Sequence, residues 1–212
     1  MGLGLNLLLR LAIVGFMVDT YIRAGWPQYQ GKGLAIRNIL VIGLGSLIVP
    51  ALHARYRRGE RYPFTADNLY LSMYVGDMLG NAANIYDRWY WYDWMTHFTG
   101  TGAATLALAL ILAELPATKA AGRRANAWRA WRIANVVHAG LELQEWLPDV
   151  FGGTRNVHGM EDAAHDLGMG LLGSTAYLWL GLRRGHEMAR GVRQGAAEFR
   201  QWQQSSASFR YP

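Results

Sequence analysis

The sequence predicts an all-α fold, a polytopic membrane bundle of six transmembrane helices with both termini in the cytoplasm. Three observations carry that expectation. Apolar segments long enough to cross a bilayer recur along the 212 residues. The gaps between them alternate between basic and poorly basic. The acidic residues of the apolar segments gather at one membrane face, where ionisable side chains are costly unless they serve a purpose.

A bilayer span needs about 20 mostly apolar residues, and helices are the expected form because lipid leaves the backbone to satisfy its own hydrogen bonds. The first segment runs from about Leu3 to Ile22 and the second from about Leu34 to His53. The third, about Ala66 to Tyr86, is more polar. The fourth, about Met95 to Leu115, ends in the apolar run TLALALILAEL. Hydropathy leaves the fifth, about Ala127 to Leu147, ambiguous, and the sixth runs from about Asp162 to Leu182.

The basic residues support all six. Arg55, Arg57, Arg58 and Arg61 follow the second segment. Lys119, Arg123 and Arg124 follow the fourth, and Arg183, Arg184, Arg190, Arg193, Arg200 and Arg210 follow the sixth. The other gaps hold Arg23, Lys32 and Arg37, then Arg88, then Arg155. The positive-inside rule therefore places both termini in the cytoplasm. Omitting just one of the two polar segments would break the alternation. The first segment lacks a following A-x-A site and reads as a retained anchor rather than a cleaved signal.

Two regions are expected: a transmembrane domain over 1–183 and a basic cytoplasmic tail over 184–212. The tail reads either as an amphipathic helix on the anionic leaflet or as a solvated strand of chain. Hydrophobic residues make up 51% and charged residues 17%, and nine Trp and eleven Tyr suit membrane interfaces. Cysteine is absent, which excludes a disulfide framework, a thiolate metal site and a cysteine nucleophile. The net charge of +6 is spread over short gaps rather than one soluble face, so no nucleic acid is expected as a partner. The lipid bilayer is the expected surrounding.

With this topology the outer face collects Asp19, Asp93, His97, Glu142, Glu145, Asp149, Asp162, His165 and Asp166, and Glu114 stands at an inner end. Helical spacing groups them. Asp93 and His97 share a face, as do His138, Glu142 and Glu145, and as do Asp162, His165 and Asp166. Asp77, Asn81 and Asn84 form a similar stripe. Such stripes should turn inward together. Gly100, Gly102, Gly168, Gly170 and Gly173 allow the helices to close up.

Mixed imidazole and carboxylate ligands suit a divalent metal such as Zn²⁺, Mn²⁺ or Fe²⁺. A hydrogen-bonded polar core that fixes the bundle is the alternative, because carboxylates this close can also share protons or pair with cations. No E-x-x-H motif selects between them. His53 and His186 read as interfacial residues, and the glycine-rich stretch from Phe151 to Gly159 as a turn. No serine stands in a nucleophile motif.

Two runs resemble a known group. YDWMTHFTGTG, from Tyr92 to Gly102, is similar to the aspartate–histidine helix opening of VanZ-like and YjdF-like membrane proteins. ELQEWLPDVFGGTRNVHGMEDAAHDLGMGLLG, from Glu142 to Gly173, resembles their downstream signature. The resemblance spans about Tyr92 to Tyr177. It matches Asp93, His97, Glu142, Glu145, Asp162 and Asp166 to the family's polar residues, and Gly153, Thr154, Gly168 and Gly173 to its small ones. Trp94 stands where a lysine is usual, and His158 and His165 are additions to the pattern. The resemblance implies a small polytopic protein of the bacterial inner membrane, linked to the cell envelope.

The enzymatic expectation is a hydrolase or transferase acting on an envelope lipid or lipid-linked precursor. Asp93, His97, Glu142, Asp162 and Asp166 would hold the metal, and Glu145 or His165 would be the general base. The competing expectation is a non-enzymatic accessory subunit of a membrane complex with protein partners, with His138 as an axial ligand if the complex holds haem or a pigment. A proton or solute path through Asp77, Glu142 and Asp166 ranks last, because the inner half lacks polar groups to continue it.

Overall fold

The computed structural model describes residues 2–56, 59, 61–154 and 160–182. All regular structure among them is helical. The chain divides into two units, Met1–Leu178 and Trp179–Pro212. Of the second, residues 179–182 are described and are helical. The expected cytoplasmic tail, His158 and His186 lie outside the described residues.

Helix α1 spans Leu3–Ile22, as the sequence predicts. The second segment is broken into α2 (Leu34–Arg37), a π-helical turn (Asn38–Gly43) and α3 (Ile48–Tyr56). A single helix over Leu34 to His53 was the expectation, and Pro50 accounts for part of the difference. Proline has no amide hydrogen to give the carbonyl four residues back, which here is that of Ser46. The Ser46 carbonyl instead accepts a 3.0 Å hydrogen bond from Arg10 Nη1. The wider π turn leaves Asn38 buried, with its Nδ2 donating to Thr20 Oγ1 at 3.1 Å.

Helix α4 covers Phe64–Ala82 and α5 covers Tyr90–Glu114. After the short α6 (Pro116–Lys119), the Asn126 amide donates to the carbonyls of Leu112 and Thr118 and ties the end of α5 to the next helix. That helix, α7, runs from Arg123 to Gly152. It continues five residues past the predicted end at Leu147, through Pro148, and stops at Gly153 in the left-handed region with φ 68°. Helix α8 comprises residues 160–178 of the first unit.

Among the described residues, three helical stretches are long and apolar enough to cross a membrane: Leu3–Ile22, Leu34–Tyr56 and Tyr90–Glu114. Helices α4, α7 and α8 carry more polar residues, of which Asp67, Asn81, Asn126, His138, Glu142, Asp166 and Ser174 are buried. Helix α5 is central, packing on α4 and α7. It also meets α8, because Gly173 lies on the Phe98 backbone and Gly102 on the Tyr177 ring. The expected role of small residues holds for Gly102, Gly170 and Gly173. Gly168 has open space around it.

The apolar core lies on the other side of α4, where Ile13, Ile42, Leu71, Tyr74 and Met78 cluster. Beside it the one-sided distribution of acids needs correcting. Asp67, at the opposite end of α4 from Asp77, is fully buried. Its Oδ2 pairs with Arg10 at 2.6 Å and accepts hydrogen bonds from Asn6 at 2.7 Å and Tyr62 at 2.6 Å. Arg10 sits in the middle of an apolar helix, where a cation requires such a partner.

Candidate functional site

The α1–α2 and α4–α5 turns lie at one end of the first unit, linked by a 2.9 Å ion pair between Lys32 and Asp87. Aromatic residues crowd this end. Trp26, Trp89, Tyr90 and Trp91 are exposed, the Arg23 guanidinium lies over Trp26, and Trp89 stacks on Trp91. Asp19 pairs with Arg23 and accepts a hydrogen bond from Tyr29. Burial first, and then that bond to Asp19, pushes the Tyr29 phenol up to about 12.

Just inside, the side chains converge on His97. Its four-residue spacing from Asp93 along α5 brings Asp93 Oδ1 to 3.2 Å from His97 Nε2. The same spacing on α7 places His138 Nε2 3.2 Å from Glu142 Oε1. Across the α5–α7 contact, His97 Nδ1 lies 2.8 Å from His138 Nε2 and 3.2 Å from Glu142 Oε1. Asp166 arrives from α8, its Oδ1 3.8 Å from His97 Nε2. Two groups therefore meet at one ring. His97, His138 and Glu142 offer donor atoms within 4.8 Å of one another, and so do Asp93, His97 and Asp166.

The packing around the site follows from small residues. Gly170 lies directly on the His138 ring, and an added Cβ would collide with it. Next to it on α8, Ser174 and Asn135 exchange hydrogen bonds, and Thr175 accepts one from Trp131. His138, Glu142 and Asp166 are buried, and the Asp166 Oδ1 oxygen has no hydrogen-bond partner among the described residues.

A second polar group adjoins the first. Arg37 Nη2 pairs with Asp77 at 2.5 Å, and its Nη1 lies 3.3 Å from Glu145. The Tyr86 hydroxyl lies 3.1 Å from both Asp77 Oδ1 and Thr96 Oγ1.

The residues expected at the site thus fall into three groups. Asp93, His97, Glu142 and Asp166 come together. Glu145 stands on α7 beside Arg37. His165 is exposed with its ring against Trp94, and Asp162 is half-buried on the same helix, outside both donor groups. His138, expected in the His138–Glu142–Glu145 stripe and as an axial ligand in the accessory-subunit reading, also belongs in the cluster. Arg37, read from sequence as one basic residue of an outer gap, lies between two acids instead. Its signal was the need of Asp77 and Glu145 for a cation.

No curated protein and no solved structure matches the chain. A family match covers residues 3–187, most of the sequence and every residue of the site described above. The chain belongs to the family described as "Predicted membrane protein (DUF2238)".

Proposed function

We propose that this chain is a six-span protein of the bacterial inner membrane with cytoplasmic termini. In this reading His97, with His138 and Glu142 on one side of its ring and Asp93 and Asp166 on the other, binds divalent metal at the outer face. The site acts there on a lipid or lipid-linked precursor of the envelope. The observation that carries the proposal is the convergence of nitrogen and oxygen donors on His97 from three helices. Zinc-type ligands sit about 2.0–2.2 Å from the ion. Donor pairs 2.8–3.8 Å apart need little movement to share one. The unpartnered Asp166 Oδ1 supports the same reading, since a buried oxygen with no donor is costly and a cation would satisfy it.

A bound divalent ion would supply Lewis-acid activation of a phosphoryl or carbonyl oxygen. The protein's own residues do the rest. Gly170 and Gly173 hold α8 close enough for Asp166 to reach His97. His165, exposed beside Trp94, is one general base of the proposal, to take a proton from an arriving hydroxyl. Glu145, three residues from Glu142 on one face of α7, is the other base of the proposal, with Arg37 fixing its carboxylate. A cleft of about 130 Å³ runs beside Thr96, Gly100, Met73, Gly76 and Tyr177 and would take part of a lipid chain. The kinship of Tyr92 to Tyr177 with VanZ-like and YjdF-like proteins is part of this proposal.

The test is metal analysis of the full chain purified in detergent, beside His97→Ala and Asp166→Ala. Bound Zn²⁺, Mn²⁺ or Fe²⁺ near or above one per chain, reduced in both variants, is the expected result. A metal-free wild-type protein that stays metal-free on incubation with all three ions would refute the proposal. It would leave a hydrogen-bonded polar core in a membrane accessory subunit. Reporter fusions at each terminus check the topology, and an outer-face signal from either one sinks the cytoplasmic assignment.

A further inference from the structure

We infer that the cluster is built for two divalent cations bridged by the His97 ring, an inference that rests on the metal-binding reading above. The two ring nitrogens of an imidazole point away from each other, so a single ion cannot bind both. The donors divide along the same line. Beside Nδ1 stand His138 Nε2 at 2.8 Å and Glu142 Oε1 at 3.2 Å. Beside Nε2 stand Asp93 Oδ1 at 3.2 Å and Asp166 Oδ1 at 3.8 Å. Each nitrogen thus has two partners of its own, and each set of three has the nitrogen and oxygen donors that borderline divalent ions prefer.

With both ring nitrogens bound to ions, His97 is a bridging imidazolate whose ring proton passes to solvent. The second, independent observation is Asp166. It is 3% exposed, and its Oδ1 faces His97 Nε2 from beyond hydrogen-bond distance and accepts no hydrogen bond among the described residues. A site for one ion at Nδ1 would leave this oxygen unexplained.

The two positions differ in access. The His138 and Glu142 side chains are 8% and 7% exposed, whereas that of Asp93 is 29% exposed. The Nδ1 ion is therefore the enclosed one and the Nε2 ion the one open to exchange. Open coordination is the mark of a reactive metal rather than a structural one.

The experiment loads the detergent-purified full chain with Zn²⁺, removes free ion, and measures Zn²⁺ per chain for wild type, His138→Ala and Asp166→Asn. Two per chain in the wild type and one in each variant is expected, with a chelator removing one wild-type ion well before the other. One ion per chain in the wild type overturns the bridge and leaves the metal-binding reading standing. None overturns both. A measurement on the wild type alone guards against variants that fail to fold. Cu²⁺ at one per chain should give an ordinary isolated-ion EPR signal, and at two per chain that signal should collapse through coupling across the imidazolate. Two uncoupled signals of doubled intensity overturn the bridge.

Discussion

Replacing Gly173 with alanine tests how α8 is seated on α5. A Cβ at Gly173 would meet the Phe98 carbonyl group, with Phe98 C at 2.6 Å and Cα at 2.8 Å. All of these are backbone atoms and cannot rotate away. Carbon atoms pack at about 3.5–4.0 Å, so α8 must retreat by about 1 Å. Overpacking of this kind costs about 1–3 kcal/mol, and alanine returns at most about 1 kcal/mol through its helix propensity. A net loss of about 1 kcal/mol follows, which for a chain of this size lowers the melting temperature by about 2–4 °C. The same retreat withdraws Asp166, two turns earlier on α8, from His97, the neighbour of Phe98. Bound metal should fall with stability. Gly168→Ala is the control, because nothing lies within 4 Å of its added Cβ. That variant should melt at or slightly above the wild-type temperature. The assay is thermal unfolding in one detergent, with metal content measured on the same samples. If Gly173→Ala and Gly168→Ala match in both readouts, the close seating of α8 on the Phe98 backbone is wrong.

Two further outcomes follow from the polar interior. Asp67→Ala removes the only acid paired with Arg10 among the described residues and should cost about 3–5 kcal/mol. Replacing both Arg10 and Asp67 with leucine should recover part of that loss in the same melting assay, and a double variant as unstable as Asp67→Ala would count against a buried pair. Tyr29 gives a pH signature. A phenol raised to about 12 by folding ionises first in the unfolded chain, near its ordinary pKa of about 10. Its contribution is complete below about pH 10 and is lost as pH rises toward 12. The fall in melting temperature over that window should be shallower in Tyr29→Phe than in the wild type. Equal slopes would show that burial and Asp19 do not hold the phenol neutral.

Much of the candidate site was legible because it rests on local spacing. Asp93 with His97, and His138 with Glu142, are four apart, so any helix through them delivers each pair to one face. The expense of charge in lipid then implies that those faces turn inward. Apolar length marked Leu3–Ile22 to the residue. What spacing cannot supply is the register between helices. Only the packing of α7 on α5 decides that His138, rather than Glu145, meets His97. Only the contact of Gly173 with Phe98 decides that Asp166 reaches the same ring while Asp162 and His165 do not.

The buried pairs obey the same division. Arg10 in an apolar helix and Asp67 at the start of a polar one each announce a missing partner, but the two are far apart in sequence. Arg37 looked like a topology signal because loop arginines usually are. The three-dimensional path carries it between Asp77 and Glu145, where pairing offsets the cost of its burial. The sequence by itself determined that the chain is a helical membrane protein and which faces of its helices are polar, since both depend on composition and helical period. The tertiary structure alone decided which polar groups touch, because that depends on how closely backbones approach. Glycine contacts such as Gly170 on His138 set that approach, and the chain marks those glycines but not the neighbour each one meets.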